Sequence, residues 1–251
     1  MATAHMIAPG AAGQRRLTLG SGEAHVWVAD LDELGDGWLD LLSSDEHRRC
    51  QAMVSEQARR RWGRGRGLLR GILGAYLGRE PSGLDLDVGA HGKPRLAGPR
   101  PGDPSFNLAH SGALALYGIA AGGAVGIDVQ QPREGIDELA LAARALGAEL
   151  TESLGALEPA ERHGAFMRAW TRHEAMLKWR GTGIGAPAPE DAGVPWTTQV
   201  ELGGDVAAAL VLDREPAALL IRAVGGDPPL RSASVGSSPL AQLPGGVTRG
   251  S

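Results

Sequence analysis

The pattern of apolar and polar residues predicts one strand followed by helices in the first third of the chain. Residues 24–30 alternate in the manner of a half-buried strand. Apolar residues then recur at helical spacing over residues 31–42, and Ser43 or Ser44 can cap a further helix. Glu56–Leu77 has one apolar side and many arginines, which predicts a long amphipathic helix.

Strands and helices come in blocks along the rest of the chain. Strands are predicted over residues 84–88, 105–110, 113–120 and 124–130, helices over 136–146, 151–157 and 159–179, and strands again over 197–202, 206–212 and 218–224. Blocks of this kind favour an α+β fold over a doubly wound parallel sheet. Strand–helix–strand blocks before and after about Val125 allow two lobes of similar build.

The expected organisation is an N-terminal lobe over residues 17–124 and a C-terminal lobe over residues 125–226. The two ends, residues 1–16 and 227–251, are rich in Ala, Gly, Pro and Ser and show little periodicity. Such composition is typical of segments that do not pack into a core, so both ends are predicted to be flexible tails.

Composition excludes several classes of protein. The 25 Lys and Arg residues against 29 Asp and Glu residues give a net charge of −4, so a broad nucleic-acid-binding face is not expected. A single cysteine, Cys50, cannot form an internal disulfide. The longest apolar run, residues 113–125, is too short and glycine-rich to span a bilayer, and residues 1–16 lack the pattern of a secretion signal. We expect a cytoplasmic protein, without membrane or nucleic-acid partners.

The two lysines stand out because the other basic residues are all arginines. Lysine is a compact point charge that a planar guanidinium does not replace. Lys93 lies in the segment Gly92-Lys93-Pro94, where glycine permits close backbone approach and proline stiffens the loop. Such a loop suits a phosphate ligand, although an ordinary proline-stiffened turn has the same letters.

A second polar segment, FNLAHS, ends a predicted strand. Phe106 and Leu108 should point to one face of that strand and Asn107 to the other. His110 and Ser111 fall at the following turn, where they can reach a ligand or simply form a surface turn.

A third segment, VGIDVQ, places Asp128 and Gln130 on one face of a strand whose other face is apolar. An aspartate in so apolar a strand is a metal or phosphate-site ligand, a capping group or half of an ion pair. The strand pattern leaves these alternatives open.

The fourth segment, WTRHEAMLK, lies on the helix predicted over residues 159–179. Glu174 falls in the apolar stripe that contains Trp170, and burial of an unpaired carboxylate is costly. Lys178, one turn further along, can pair with Glu174. A simple Glu–Lys pair is common, but it does not explain why the carboxylate lies among apolar residues.

Together and in this order, GKP, FNLAHS, VGIDVQ and WTRHEAMLK resemble the motifs of 4′-phosphopantetheinyl transferases. The similarity is to the single-chain, two-lobed, surfactin-synthetase-activating (Sfp-like) type, in the branch whose last motif reads W…KEA. The opening stretch LLSSDEHRRC also looks like the first helices of that family, and the resemblance covers roughly residues 24–224.

The resemblance implies a fold of two similar, pseudo-symmetric α+β lobes with the active site in the cleft between them. It also implies transfer of the phosphopantetheine arm of coenzyme A to a serine of an apo acyl or peptidyl carrier protein, with release of 3′,5′-ADP. The carrier would belong to a polyketide, nonribosomal-peptide or fatty-acid synthase, with a leaning toward secondary metabolism such as antibiotic biosynthesis. Mg²⁺ would bridge the pyrophosphate, and the protein is expected to act as a monomer.

The resemblance also assigns roles to individual residues. Asp128 and Glu174 would bind Mg²⁺, and Glu174 would also be the general base that deprotonates the carrier serine. Lys178 would stabilise phosphate charge during transfer. The residues implied in coenzyme A binding are Arg49, Arg70, Lys93, Pro94, His110 and Ser111.

Two positions depart from the family pattern. Gln130 stands where many members carry another acidic metal ligand; an amide oxygen can still coordinate, but weaker Mg²⁺ binding is expected. His173 replaces a lysine, so a permanent cation becomes one that titrates near neutral pH. The alternative to an enzyme is a non-catalytic relative that binds coenzyme A or a carrier protein. The arginines of residues 59–70 could contact an acidic carrier, grip phosphate or simply solvate a helix.

Overall fold

The computed structural model describes residues 16–89, 92–181 and 193–224, together with the backbone of residues 235–236. Within these residues the strands are β1 (Glu23–Asp30), β2 (Leu86–Val88), β3 (Pro94–Leu96), β4 (Ser105–Ser111), β5 (Leu114–Ala120), β6 (Val125–Gln130), β7 (Trp196–Val200), β8 (Ala207–Leu212), β9 (Ala218–Val224) and β10 (Val235–Gly236). The α-helices are α1 (Ser44–Gln51), α2 (Glu56–Leu77), α3 (Glu138–Ala145), α4 (Ala148–Gly155) and α5 (Pro159–Arg180). The predicted α+β class is confirmed.

The first sheet has the strand order β4-β5-β1-β9. Its consecutive pairs β4–β5 and β5–β1 are antiparallel, whereas β9 pairs with β1 in parallel. Helix α2 covers one face of this sheet, and the core there includes Trp27, Ile72 and Tyr117. This face therefore buries the apolar side that was predicted for α2.

The second sheet has the order β10-β7-β8-β6 and is antiparallel throughout. Helix α5 packs on one face, against β6 and β8. The other face meets the first sheet, where Val125, Ile127 and Val129 join a shared apolar cluster with Val26 and Leu116. The predicted alternation along β6 is confirmed, because its valines and isoleucine point between the sheets and Asp128 points toward α5.

The helical spacing over residues 31–42 produces only a short 3₁₀ helix, Asp36–Leu41. Gly35 and Leu42, on either side of it, have extended backbone conformations. Helix α2 crosses this segment so closely that a Cβ on Gly67 would overlap the carbonyl group of Trp38. The apolar residues of the segment thus pack against α2 without an α-helix of their own.

The division of the chain at residues 124 and 125 coincides with the turn between β5 and β6, which belong to different sheets. However, β9, from the predicted C-terminal lobe, joins the first sheet beside β1. Two residues of the predicted C-terminal tail, Val235–Gly236, form β10 and pair with β7. Apart from these and Arg16, the two predicted tails lie outside the described residues. None of the described helices is both long enough and apolar enough to cross a bilayer.

Candidate functional site

The third and fourth motifs meet where β6 packs on α5. The ammonium of Lys178 donates a hydrogen bond to Oδ1 of Asp128 over 2.7 Å, and Asp128 is only 4% exposed. Gly126 makes this approach possible, because a Cβ there would collide with backbone atoms of Ala175 and Trp179. A glycine two residues before the aspartate thus brings the strand into direct contact with the helix.

Glu174 lies one helical turn before Lys178 and is half-buried. Its Oε1 is shielded from solvent and has no hydrogen-bond partner among the described residues. Burial raises the pKa of Glu174, the nearby negative charge of Asp128 raises it further, and Lys178 opposes both effects. The helix therefore presents a carboxylate oxygen that no described residue engages and that is positioned to take a cation or a proton.

Asp128 and Glu174 suit Mg²⁺, which usually binds one or two protein carboxylates and completes its shell with water and phosphate oxygens. The unpartnered Oε1 of Glu174 is the structural observation that supports this fit. The described residues contain no group of three or more His, Cys, Asp or Glu side chains arranged around a metal position. The remaining ligands of a Mg²⁺ ion held here would therefore be water molecules and phosphate oxygens of the substrate.

Gln130, the third residue implied in metal binding, holds Asp128 in place. Its Nε2 donates to Oδ2 of Asp128 over 3.0 Å, while Lys178 occupies Oδ1. Both oxygens of the aspartate therefore accept hydrogen bonds from the protein, and the amide of Gln130 lies beside Asp128 without adding negative charge.

His110 and Ser111, at the end of β4, lie on the side of the site formed by β6. Burial and the charge of Lys178 lower the pKa of His110, and Asp128 opposes that shift, so the ring is within electrostatic reach of both groups. The hydroxyl of Ser111 accepts a hydrogen bond of 3.0 Å from the backbone N–H of Gln131. This bond fastens the end of β4 to the end of β6.

A cavity of about 510 Å³ opens beside His110, between α2, the β4–β5 hairpin and the GKP loop. Its lining combines basic and aromatic side chains with an apolar floor, and includes Arg49, Trp62, Arg66, Pro94, Leu108 and Tyr117. The guanidinium of Arg49 stacks over the Trp62 ring, 5.4 Å from its centroid. Arg49, Pro94 and His110, three of the residues implied in coenzyme A binding, therefore line the same cavity.

Arg70 is different from the other residues implied in nucleotide binding. It is 2% exposed, and its Nε donates to Glu46 over 2.5 Å. Its Nη1 donates to the carbonyl oxygens of Pro81 and Leu84 over 2.8 and 2.9 Å. The guanidinium is thus used inside the protein, where it fastens α2 to α1 and to the segment before β2, and we assign it a structural role.

The other arginines of α2 are largely paired as well. Arg60 pairs with Glu56, Arg61 with Asp32, Arg64 with Asp36, and Arg66 with Glu46. Much of the positive charge of residues 59–70 is therefore neutralised by acidic side chains, which favours a solvated helix face over a free basic patch for an acidic carrier.

Lys93 lies close to Lys178 but does not line the cavity beside His110. Its ammonium donates to the carbonyl oxygens of Lys178 and Val125, over 2.9 and 3.4 Å. Burial lowers the pKa of Lys93, and the neighbouring charge of Lys178 lowers it further. The lysine that suggested a phosphate ligand is thus attached to the backbone of the two elements that carry Asp128 and Lys178.

Trp62 is a residue that the motifs did not identify. It lines the cavity beneath Arg49, half-buried, in an otherwise polar and arginine-rich stretch, RRRWGRGR. The sequence did contain a signal for Trp62, because it is a single large aromatic residue among arginines. An aromatic ring in such surroundings offers a surface on which a ligand can stack.

The comparisons with known proteins agree with this arrangement. Residues 124–211, which contain Asp128, Glu174 and Lys178, match the family model of the 4′-phosphopantetheinyl transferase superfamily. The 4′-phosphopantetheinyl transferase HetI of Nostoc is 40% identical over 173 residues, which cover 67% of this chain and 73% of HetI.

Two further relatives show the same similarity over shorter stretches. A putative 4′-phosphopantetheinyl transferase of Synechocystis is 34% identical over 64% of this chain and 66% of its own length. The 4′-phosphopantetheinyl transferase AcpT of Escherichia coli is 34% identical over 49% of this chain and 58% of its own length. With two carboxylates and a lysine brought together inside the matched region, the chain belongs to the 4′-phosphopantetheinyl transferase superfamily.

Proposed function

We propose that the protein transfers the 4′-phosphopantetheine group of coenzyme A to a serine of an apo acyl or peptidyl carrier protein and releases 3′,5′-ADP. The observation that carries the proposal is the convergence of Asp128, Glu174 and Lys178 beside a basic and aromatic cavity. The names of the relatives support the same activity for this chain.

Glu174 is the proposed general base. The serine hydroxyl of the carrier attacks the phosphorus that bears the pantetheine arm; a new O–P bond forms and the O–P bond to the adenosine side breaks. Glu174 takes the hydroxyl proton, and the released phosphate takes the bonding electron pair. A raised pKa suits this role, because a base is most effective when its pKa lies close to the working pH.

Lys178 and Asp128 form the electrostatic part of the site. Transfer of a phosphate group needs positioning and charge stabilisation more than covalent help from the protein. The ammonium of Lys178, held by Asp128, can turn toward charge that develops on the phosphate oxygens. Asp128 and Glu174 would hold Mg²⁺, which when bound neutralises charge on the pyrophosphate.

Arg49 and His110 are the proposed contacts of the nucleotide part of coenzyme A. Both line the cavity of about 510 Å³, whose apolar floor and Trp62 ring suit a purine base. Burial and the charge of Lys178 lower the pKa of His110, which favours the uncharged ring as a hydrogen-bond donor to the nucleotide. Arg49 then supplies a permanent charge for a phosphate group.

The test is transfer to a carrier. The full chain is incubated with coenzyme A, Mg²⁺ and apo carrier proteins from polyketide, nonribosomal-peptide and fatty-acid synthases. The mass of each carrier is then measured by intact-protein mass spectrometry. We expect at least one carrier to gain one phosphopantetheine group. The matched control is the same carrier with its acceptor serine replaced by alanine, which should keep its mass.

The competing function is a non-catalytic relative that only binds coenzyme A or a carrier protein. It predicts that no carrier in the panel changes mass while calorimetry still detects coenzyme A binding. That pair of results would replace the transferase with the binding protein.

A further inference from the structure

The ammonium of Lys93 joins the end of α5 to the start of β6. It donates to the carbonyl oxygen of Lys178 in the last turn of α5 and to that of Val125, the first residue of β6. These two elements carry the lysine and the aspartate of the site. One side chain from the GKP loop thus bridges the backbones that hold Lys178 and Asp128.

The end of a helix is a favourable place for this ammonium. The last carbonyl groups of a helix lack partners within it and carry partial negative charge, so a lysine there satisfies an acceptor and complements the helix dipole. The same Lys178 carbonyl also accepts from the backbone N–H of Gly181 over 3.3 Å. Two of the three N–H groups of Lys93 are therefore used on backbone.

The side chain of Lys93 also points away from the proposed nucleotide cavity. Its neighbours Gly92 and Pro94 line that cavity together with His110. Lys93 instead lines a separate cavity of about 480 Å³, with Phe106 and Val125 in its wall. Pro94 thus lines both cavities, whereas Lys93 lines the second cavity and not the one beside His110.

A second side chain bridges the same two elements from the end of β8. Oδ1 of Asp213 accepts from Nε1 of Trp179 over 2.6 Å, and its Oδ2 accepts from the backbone N–H of Ala124 over 2.9 Å. Lys93 and Asp213 therefore join residues 178 and 179 to residues 124 and 125. This junction is held at two points, next to the contact that Gly126 allows.

We propose that Lys93 is a positioning residue: it fixes the last turn of α5 on the start of β6 and thereby sets the ammonium of Lys178 against Asp128, instead of binding a phosphate of coenzyme A. The inference rests on the proposed function only in that Lys178 serves the transfer. We therefore expect Lys93 to affect the rate of transfer but not the affinity for coenzyme A.

The first test replaces Lys93 by methionine, which keeps the length of the side chain and removes its donors. Because an interaction that only orients the reacting groups affects turnover and not ground-state binding, K93M should lower kcat about 10-fold and leave the Kd of coenzyme A within about twofold. Backbone amide exchange over residues 174–181 should become faster. A Kd raised tenfold with unchanged amide exchange would overturn the proposal.

The matched control is Arg95→Met in β3. Arg95 is an exposed cation of the same hairpin, two residues away, and its nearest charged partner is Asp87 at 4.0 Å. It has the same kind of long side chain but makes no hydrogen bond or ion pair with the described residues of α5. R95M should leave kcat, Kd and the amide exchange of α5 unchanged. If R95M lowered kcat as much as K93M, the lower rate would be due to the lost positive charge of the hairpin and not to the hydrogen bonds of Lys93, and the proposal would be wrong.

The second test uses the natural chain and needs no folded Lys93 variant. The sequence contains only two lysines, so selective ¹⁵N-lysine labelling yields two side-chain ammonium signals, which a Lys178→Met or a Lys93→Met sample assigns. On saturation with 3′,5′-ADP, the Lys93 ammonium should remain hydrogen-bonded to the backbone. A coupling from Lys93 nitrogen to ligand phosphorus would overturn the proposal. Neither the binding nor the exchange measurement needs turnover, so they judge Lys93 even if no carrier is modified.

Discussion

Lys178 donates to Asp128, which precedes it by 50 residues, and makes no ion pair with Glu174, which lies one turn before it on the same helix. Helical spacing alone favoured the Glu–Lys pair. In the folded protein Lys178 pairs with Asp128 instead, because β6 brings the buried Asp128 carboxylate directly against the last turns of α5. As a consequence Oε1 of Glu174 is left without a hydrogen-bond partner among the described residues, which is the observation behind its proposed role as general base.

Replacement of Glu174 by glutamine should separate activity from stability. If Glu174 is the general base, the transfer rate of E174Q falls about 100-fold or more. The fold should not lose stability, because the substitution removes a half-buried carboxylate whose Oε1 has no hydrogen-bond partner in the part of the chain that the structure describes. The measurements are kcat with an apo carrier and the midpoint of thermal unfolding. Glu161→Gln, an exposed position in the first turn of α5, should change neither.

The raised pKa of Glu174 predicts a specific dependence of stability on pH in the absence of metal. Between the usual value of 4.5 and the higher value in the folded protein, the folded state binds more protons than the unfolded chain. The contribution of Glu174 to the free energy of unfolding therefore decreases as pH rises through this window. Thermal unfolding followed from acid to neutral pH should show this decrease in the natural chain, and a smaller one in E174Q. Identical profiles would contradict the raised pKa.

A glutamate at position 130 should strengthen metal binding. Gln130→Glu adds a carboxylate beside Asp128 and Glu174, so the Mg²⁺ concentration for half-maximal rate should fall by about 10-fold, which corresponds to about 1.4 kcal/mol. Without metal the same variant should be less stable, because it loses the amide donor to Asp128 and places like charges together. Mg²⁺ titrations by calorimetry and by activity test both effects.

The neighbouring Gln131→Glu is the control for this prediction. Its backbone N–H binds Ser111, and its side chain lies against the glycine of the β4–β5 turn. It adds the same charge one residue away, on the alternate face of the chain. An equal gain in Mg²⁺ affinity for both variants would indicate a general effect of charge and not a ligand at position 130.

Two arginines near the cavities should respond in opposite ways. Arg70→Ala removes one of the two arginines that pair with the buried Glu46 carboxylate, together with the donor to the carbonyl oxygens of Pro81 and Leu84, so we expect the free energy of unfolding to fall by about 2–3 kcal/mol. Arg49→Ala removes an exposed guanidinium that stacks on Trp62, so the fold should keep its stability while the Kd of coenzyme A rises. Denaturant unfolding and calorimetry of each variant distinguish the two roles. A stable R70A with weakened coenzyme A binding would restore Arg70 as a ligand.

The local elements were largely predictable. The bounds of α2 agree with the prediction, those of β6 and α5 agree within a residue or so, and Ser43 caps α1 as one of the two predicted serines. These features depend on the spacing of apolar residues and on side chains close in sequence. The strand β3 was missed, because three residues that begin with a proline carry too little periodicity to be identified.

The α+β class, the four motifs, and the placement of Asp128 on a strand and Glu174 on a helix could all be predicted before the fold was known. These are consequences of residue type and of spacing within single elements. The pairing of Lys178 with Asp128, the hydrogen bonds of Arg70 to Glu46 and to backbone carbonyls, and the pairing of β9 with β1 in the first sheet became evident from the packed fold alone. Such partners lie tens of residues apart, and they are chosen by how elements pack, which the spacing within any one element does not record.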